Sequence, residues 1–120
     1  MYKNDKYVES DLINSYAWDT AIVYIQAMGN SNYANQIDGS WTLKNTGSTG
    51  DEKCKIFDMA VNTAEWTTEY SAYTLSSNAY PCTNRGGSYN SSGNYTSNRN
   101  HYSATNSNSN ISFRPLLYVK

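Results

Sequence analysis

The sequence predicts an α+β domain, with at least one amphipathic helix, short mostly antiparallel strands and long loops. Three observations carry that prediction. Only one stretch, residues 15–28, repeats its apolar residues at helical spacing. The remaining apolar residues fall in short pieces, the length of strands rather than helices. Between those pieces lie runs of Asn, Ser, Gly and Thr, whose side chains and backbone freedom favour turns.

A chain of 120 residues is enough for one domain. Only 17 residues are Leu, Ile, Val or Phe, but 12 are Tyr and 14% are aromatic. Each ring buries a large area, so a small aromatic-rich core is within reach. A formal net charge of −1 gives no basic footprint for nucleic acid. No run approaches the roughly 18 apolar residues of a membrane span, so no membrane insertion is expected. No basic stretch followed by an apolar one opens the sequence, so no signal peptide is expected.

Residues 1–14 are polar and weakly patterned, a lead-in with room for one short strand. In 15–28, Trp18, Ala21, Ile22, Ile25 and Met28 follow i, i+3, i+4, i+7 and predict a helix with its core face along Trp18. Ser15 is placed to be its N-cap, Asp19 lies in its first turns, and Gly29 is placed just past its end. Residues 30–52 read as a long loop with Trp41 and Leu43 as anchors. Its Asn45-Thr46-Gly47-Ser48-Thr49-Gly50 run lacks the Gly-Lys-Ser/Thr ending of a phosphate loop, so nucleotide binding is set aside. Ile56, Phe57, Met59, Val61 and Trp66 form short apolar pieces, and Arg85-Gly86-Gly87-Ser88-Tyr89 is a tight turn. Residues 111–119 predict a buried terminal strand, with Pro115 near a bulge or an edge.

The most unusual stretch is 88–110, in which seven residues are Asn, seven Ser and three Tyr. It is bounded by Gly86-Gly87 before and an apolar strand after, which predicts a tethered loop or hairpin rather than a disordered tract. Tyr, Ser and Asn are also the residues of adaptable recognition surfaces, where Tyr gives rigid amphipathic area and Ser and Asn give hydrogen bonds.

Reactive chemistry is thin. Every carboxylate lies at or before Glu69, so paired-carboxylate catalysis must come from the first half. His101 is the only imidazole and has no acid after Glu69 to orient it, so it reads as part of a binding face. Cys54 and Cys82 are either one disulfide in an exported chain or two thiols. Asp58 and Glu65 read as a turn cap and a partner for a core arginine; Arg85 and Arg114 read as structural, each beside a strand end.

Four segments in order carry a resemblance: Ala17-Trp18-Asp19-Thr20-Ala21; Phe57-Asp58-Met59-Ala60-Val61-Asn62-Thr63-Ala64-Glu65-Trp66; Asn84-Arg85-Gly86-Gly87-Ser88-Tyr89; and Ile111-Ser112-Phe113-Arg114-Pro115. Together they resemble the sulfatase-modifying-factor family, the formylglycine-generating-enzyme type of C-type lectin fold. The resemblance covers about residues 15–118 and departs from the family pattern at Val61 and Ala64. It implies one C-type lectin-like domain over 1–120, alone or as the C-terminal part of a longer protein. It also implies a calcium site at the Asp58 and Glu65 side chains with the Val61 and Thr63 backbone oxygens, since calcium takes six to eight hard oxygen ligands. The family's reactive cysteine pair would fall at Ser91 and Thr96. Hydroxyls cannot replace a thiolate in that copper-dependent oxidation, so the chain is expected not to be an enzyme.

The tract also resembles the variable region of proteins diversified by retroelements, which share this fold and vary near the C-terminus. That resemblance implies a ligand-binding face of Tyr89, Asn90, Asn94, Tyr95, Asn98, Asn100, His101, Tyr102, Asn106 and Asn108. The expected function is a non-catalytic module that recognises a protein or glycan on a cell surface. It would be carried by a bacterial or phage surface protein, outside the cell or on a virion. Two alternatives stand beside it: a divergent enzyme of the same family, and a structural module of a tail or fibre.

Overall fold

A computed structural model describes residues 6–71 and 81–120. They form an α+β domain built from a helix α1 (Ser15–Ala27), a 3₁₀ turn (Tyr33–Asn35) and eight short strands. The strands are β1 (Val8–Leu12), β2 (Glu52–Lys53), β3 (Ile56–Phe57), β4 (Ala64–Tyr70), β5 (Cys82–Arg85), β6 (Arg99–Tyr102), β7 (Ile111–Phe113) and β8 (Pro115–Val119). A four-stranded sheet runs β6-β5-β4-β7, antiparallel except for the parallel β4–β7 pair. Two ribbons, β1–β8 and β2–β3, complete the pairing among the described residues.

The helix follows the sequence pattern. Trp18, Ile22 and Ile25 are buried and meet Ile13, Tyr33, Met59 and Ala60 in the core. The N-cap is Asn14, not Ser15: its side chain accepts from the Ala17 N–H at 2.8 Å. Ser15 is the first helical residue, and its hydroxyl instead donates to Glu69 on β4. At the other end, Gly29 takes a φ of +104° and donates to the Gln26 carbonyl, while Asn30 donates to that of Ile25. That is the two-bond Schellman ending, which places a glycine at this position because other residues resist a positive φ. Met28, expected on the core face, is exposed, because the chain turns away there.

The terminal strand departs from expectation. Residues 111–119 divide at Arg114 into β7, which joins the sheet, and β8, which pairs only with β1. With a partner on one side only, β8 alternates: Leu116 and Tyr118 are half-buried, and Val119 is 85% exposed. Pro115, which cannot donate to a ladder, is the first residue of that strand.

Gly86 and Gly87 bring β5 against the core. A Cβ on Gly86, whose φ is +92°, would sit 2.9 Å from the Trp18 indole and 3.1 Å from the Met59 carbonyl oxygen. A Cβ on Gly87 would sit 2.7 Å from the Ala60 carbonyl oxygen and 2.9 Å from that of Asn94. The doublet therefore permits both the packing of Trp18 and the entry of the Asn/Ser-rich tract.

Candidate functional site

The tract that leaves Gly87 lies along the first long loop, held by backbone to backbone. Tyr89 donates to the Asn62 carbonyl at 2.8 Å and accepts from the Trp41 N–H at 2.9 Å. Thr96 and Ser97 donate to the carbonyls of Gln36 and Ala34 at 2.9 and 3.1 Å. Residues 99–102 then form β6 against β5, and the tract ends where the Asn110 carbonyl accepts from Ala64 at 3.0 Å. The Trp18 indole N–H donates to the Thr96 carbonyl at 3.0 Å, tying the middle of the tract to the core. These main-chain partners, with the Trp18 indole, fix the path of the tract.

The ten side chains expected on a binding face fall into three groups. Near the Trp41 loop, the Tyr89 hydroxyl meets Ser109 Oγ at 3.2 Å, and Asn90 Oδ1 accepts from Asn110 Nδ2 at 3.0 Å. Asn90 and Asn108 are exposed there, and Tyr89 is half-buried. Alongside residues 34–36, Asn98 donates to Asn94 Oδ1 at 3.1 Å, and Tyr95 is exposed. Asn100, His101 and Tyr102 are half-buried on β6, and Asn106 is half-buried in the turn that follows. The Tyr102 ring stands edge-on to Trp66 with centroids 6.2 Å apart, so it is a packing residue as well as a rim residue.

The loop facing the tract corrects a further expectation. Trp41 and Leu43, read as anchors, are 65% and 51% exposed. The loop is held by polar ties instead. Asp38 accepts from the Ser40 and Asn62 N–H groups at 2.9 and 2.6 Å. The buried Asn62 amide accepts from Lys44 N and donates to Lys44 O, both at 3.0 Å, copying a backbone pair. Trp41 has a φ of +57°, a conformation that disfavours a bulky residue. Trp41, Leu43, Asp38 and Asn62 were not among the predicted site residues. An indole in a Ser/Gly/Asn-rich loop was the available signal.

Beside this loop runs a groove of about 370 Å³ lined by Leu43, Lys44, Thr46, Ser109, Ile111 and Ser112, among others. Thr46, Asn62, Thr63 and Ser112 are shared with a neighbouring hollow of about 300 Å³ that contains Asp58, Glu65 and Arg114. Both carboxylates in that hollow have protein partners. Asp58 accepts from Gly47 N at 2.5 Å and from the Thr49 hydroxyl. Glu65 accepts from Arg114 Nε and Nη2 at 2.7 and 2.8 Å. Burial raises the Glu65 carboxyl above the usual carboxylate range, the Arg114 charge lowers it, and Asp58 nearby raises it further; burial prevails. The Val61 carbonyl accepts from Thr63 N at 3.1 Å. A guanidinium already sits on Glu65 where a calcium ion would have to bind, so this arrangement does not fit the metal. Among the described residues, no group of three or more His, Cys, Asp or Glu is placed to hold a metal.

A second polar cluster joins the helix to the sheet. Arg85, buried on β5, pairs with Asp19, and Arg99 Nε lies 3.0 Å from the Glu69 carboxylate. Burial lowers the Arg85 pKa and Asp19 counters it. This cluster accounts for Asp19, which stabilises through Arg85 rather than through the helix end. Arg85 and Arg114 thus both make structural ion pairs, as their positions suggested.

Cys54 is exposed, Cys82 is half-buried, and both are free thiols. Cys54 and Lys55, at φ of +54° and +65°, make the two-residue turn of the β2–β3 ribbon. Thr96, at one expected cysteine position, is fully buried with its hydroxyl 3.3 Å from the Gln36 carbonyl, and Ser91 is half-buried. No protein-family model matches the chain, and no curated protein and no solved structure matches it either.

Proposed function

We propose that the chain is a non-catalytic recognition module of C-type lectin-like fold that displays residues 89–110 to a ligand on a cell surface. Its place would be on a bacterial or phage surface protein. One observation carries this reading: the path of the tract is set by main-chain hydrogen bonds to Asn62, Trp41, Gln36, Ala34 and Ala64, and by β6 pairing. Such bonds are indifferent to side-chain identity. Exposed positions such as Asn90, Tyr95 and Asn108 can then change while the scaffold persists. A composition of Asn, Ser and Tyr suits that use, because it offers stacking area and hydrogen bonds without charge. The absence of a thiol at residues 91 and 96 supports a non-catalytic role.

Sequencing this locus from many individuals of one population tests the reading. Substitutions concentrated in 89–110, above all at Asn90, Tyr95 and Asn108, are expected. Substitutions spread evenly along the chain would remove the display function.

A further inference from the structure

We propose that β8 is a self-association edge: two copies of the chain pair their β8 strands antiparallel across a two-fold axis at Leu117, joining two β1–β8 ribbons into one four-stranded sheet. At the two ends of the β1–β8 ladder, Ile13 N–H donates to the Arg114 carbonyl and Lys120 N–H to that of Tyr7, both at 2.9 Å. Antiparallel ladders alternate between pairs that exchange hydrogen bonds and pairs that do not. The register sets Glu9 against Tyr118 and Asp11 against Leu116, so these are the bonded pairs between those two ends. Pro115, Leu117 and Val119 therefore turn their backbone groups the other way, to the edge of β8 along which no described strand runs.

That edge is open and weakly defended. Natural edge strands are blunted by charge, by proline or by a bulge. β8 holds no charged residue, pairs in unbroken register, and has its proline at one end. Pro115, Leu117 and Val119 also carry the exposed side chains of the strand, Leu117 at 54% and Val119 at 85%. The donors and acceptors on this edge fit a second copy. Leu117 and Val119 each offer an N–H and a carbonyl, and Pro115 offers a carbonyl alone. An antiparallel copy centred on Leu117 sets Leu117 against the partner's Leu117 and Val119 against the partner's Pro115. Each Leu117 N–H then meets the partner's Leu117 carbonyl, and each Val119 N–H meets the partner's Pro115 carbonyl. Both donors of each edge are used, and the missing N–H of Pro115 falls at the outer end, where water reaches the Val119 carbonyl. The side chains form a continuous apolar row across the axis, and the same patch serves both copies, as a two-fold contact requires. Charge does not oppose the pairing. Lys120 falls opposite the partner's Arg114, but Lys120 already pairs with Glu9 and Arg114 with Glu65. Each chain carries a net charge of only −1, so two copies repel little.

Sedimentation of the full chain from micromolar to millimolar concentration, with amide hydrogen exchange at both limits, tests the pairing. A monomer–dimer equilibrium is expected. The Leu117 and Val119 amides should exchange at least tenfold more slowly in the concentrated sample, and those of Leu116 and Tyr118, already bonded to β1, should change less. Leu117→Lys sets two cations against each other across the axis and should weaken the dimer tenfold or more, without lowering the Tm of the dilute chain. Pro115→Val supplies the missing N–H and should tighten the dimer. A chain that stays monomeric at millimolar concentration overturns the proposal. A dimer that leaves the Leu117 and Val119 amides unprotected, or that is unchanged by Leu117→Lys, places the contact elsewhere and overturns it as well. Protection of those two amides only when a different protein is added would give the edge to that protein, and would also overturn it.

Discussion

Arg114 grips Glu65 through two parallel hydrogen bonds, Nε to Oε2 at 2.7 Å and Nη2 to Oε1 at 2.8 Å, and Nη2 also donates to the Phe57 carbonyl at 2.7 Å. One guanidinium thus joins β4, β3 and the break between β7 and β8. Glu65→Ala should destabilise the domain by about 3–5 kcal/mol in chemical denaturation, because it leaves a partly buried cation unpaired. Glu65→Gln keeps one acceptor and should cost less.

The same pair gives a signed pH dependence. The folded carboxyl of Glu65 titrates above its unfolded value of about 4.3 because burial outweighs Arg114. Between those two values the folded chain holds more protons than the unfolded one, so the contribution of Glu65 to stability rises as pH falls through that window. Wild-type stability measured relative to Glu65→Gln should therefore improve as pH is lowered from neutrality toward about 4.3. A relative loss over that range would mean that the attraction of Arg114 outweighs burial.

Glycine substitutions should separate space from backbone strain. Gly29→Ala meets nothing within 4 Å and carries only a φ of +104°, so it should cost about 1 kcal/mol. Gly86→Ala adds a collision with the Trp18 indole to a φ of +92°, and should cost roughly 2–4 kcal/mol. Gly87→Ala meets two carbonyl oxygens that belong to backbone and cannot swing away; its cost should match that of Gly86→Ala. Equal Tm values for Gly29→Ala and Gly86→Ala would show that Trp18 is free to shift.

These contrasts indicate what a sequence discloses. The helix was legible because burial repeats along it: Trp18, Ile22 and Ile25 share one face, and Gly29 ends it. The edge character of Pro115 was legible because a missing N–H has one consequence. The polar ties that build the site have no period. Asn62 clasping Lys44 across 18 residues, and Tyr33 donating to the buried Asp51 at 2.7 Å, are side-chain bonds that composition does not announce. Burial and the carboxylate of Asp51 raise the Tyr33 hydroxyl far above its usual range, so it remains a donor. Trp41 was misread for the same reason: a lone indole in a polar loop normally implies an anchor, and here the anchors are Asp38 and Asn62. The parallel β4–β7 pairing joins Ala64 to Ile111, too distant in sequence for any local pattern to signal.

Calcium should leave the domain unchanged. Asp58 is committed to Gly47 and Thr49, and Glu65 to Arg114. A millimolar addition of calcium, followed by a chelator, is expected to give the same Tm within error. A rise in Tm that the chelator reverses would require Arg114 to move off Glu65, and would restore the metal site suggested by the family resemblance.

Side chains in the tract should differ sharply in how much stability they carry. Asn90, Tyr95 and Asn108 are exposed, while the backbone at Tyr89, Thr96, Ser97 and Asn110 makes the fixed contacts. Combined replacement of Asn90, Tyr95 and Asn108 by Ser should therefore shift stability by less than about 0.5 kcal/mol. Tyr102→Ala is the contrasting case. Its ring meets Trp66 edge-on, and such a contact adds about 0.5–1.5 kcal/mol beyond the area buried. Thr96→Asn would force a larger amide into a fully buried position beside the Gln36 carbonyl and should cost more than the triple replacement. Chemical denaturation of the three variants in parallel checks the order. If the triple replacement proves the most damaging, the exposed side chains hold the tract in place and its backbone does not.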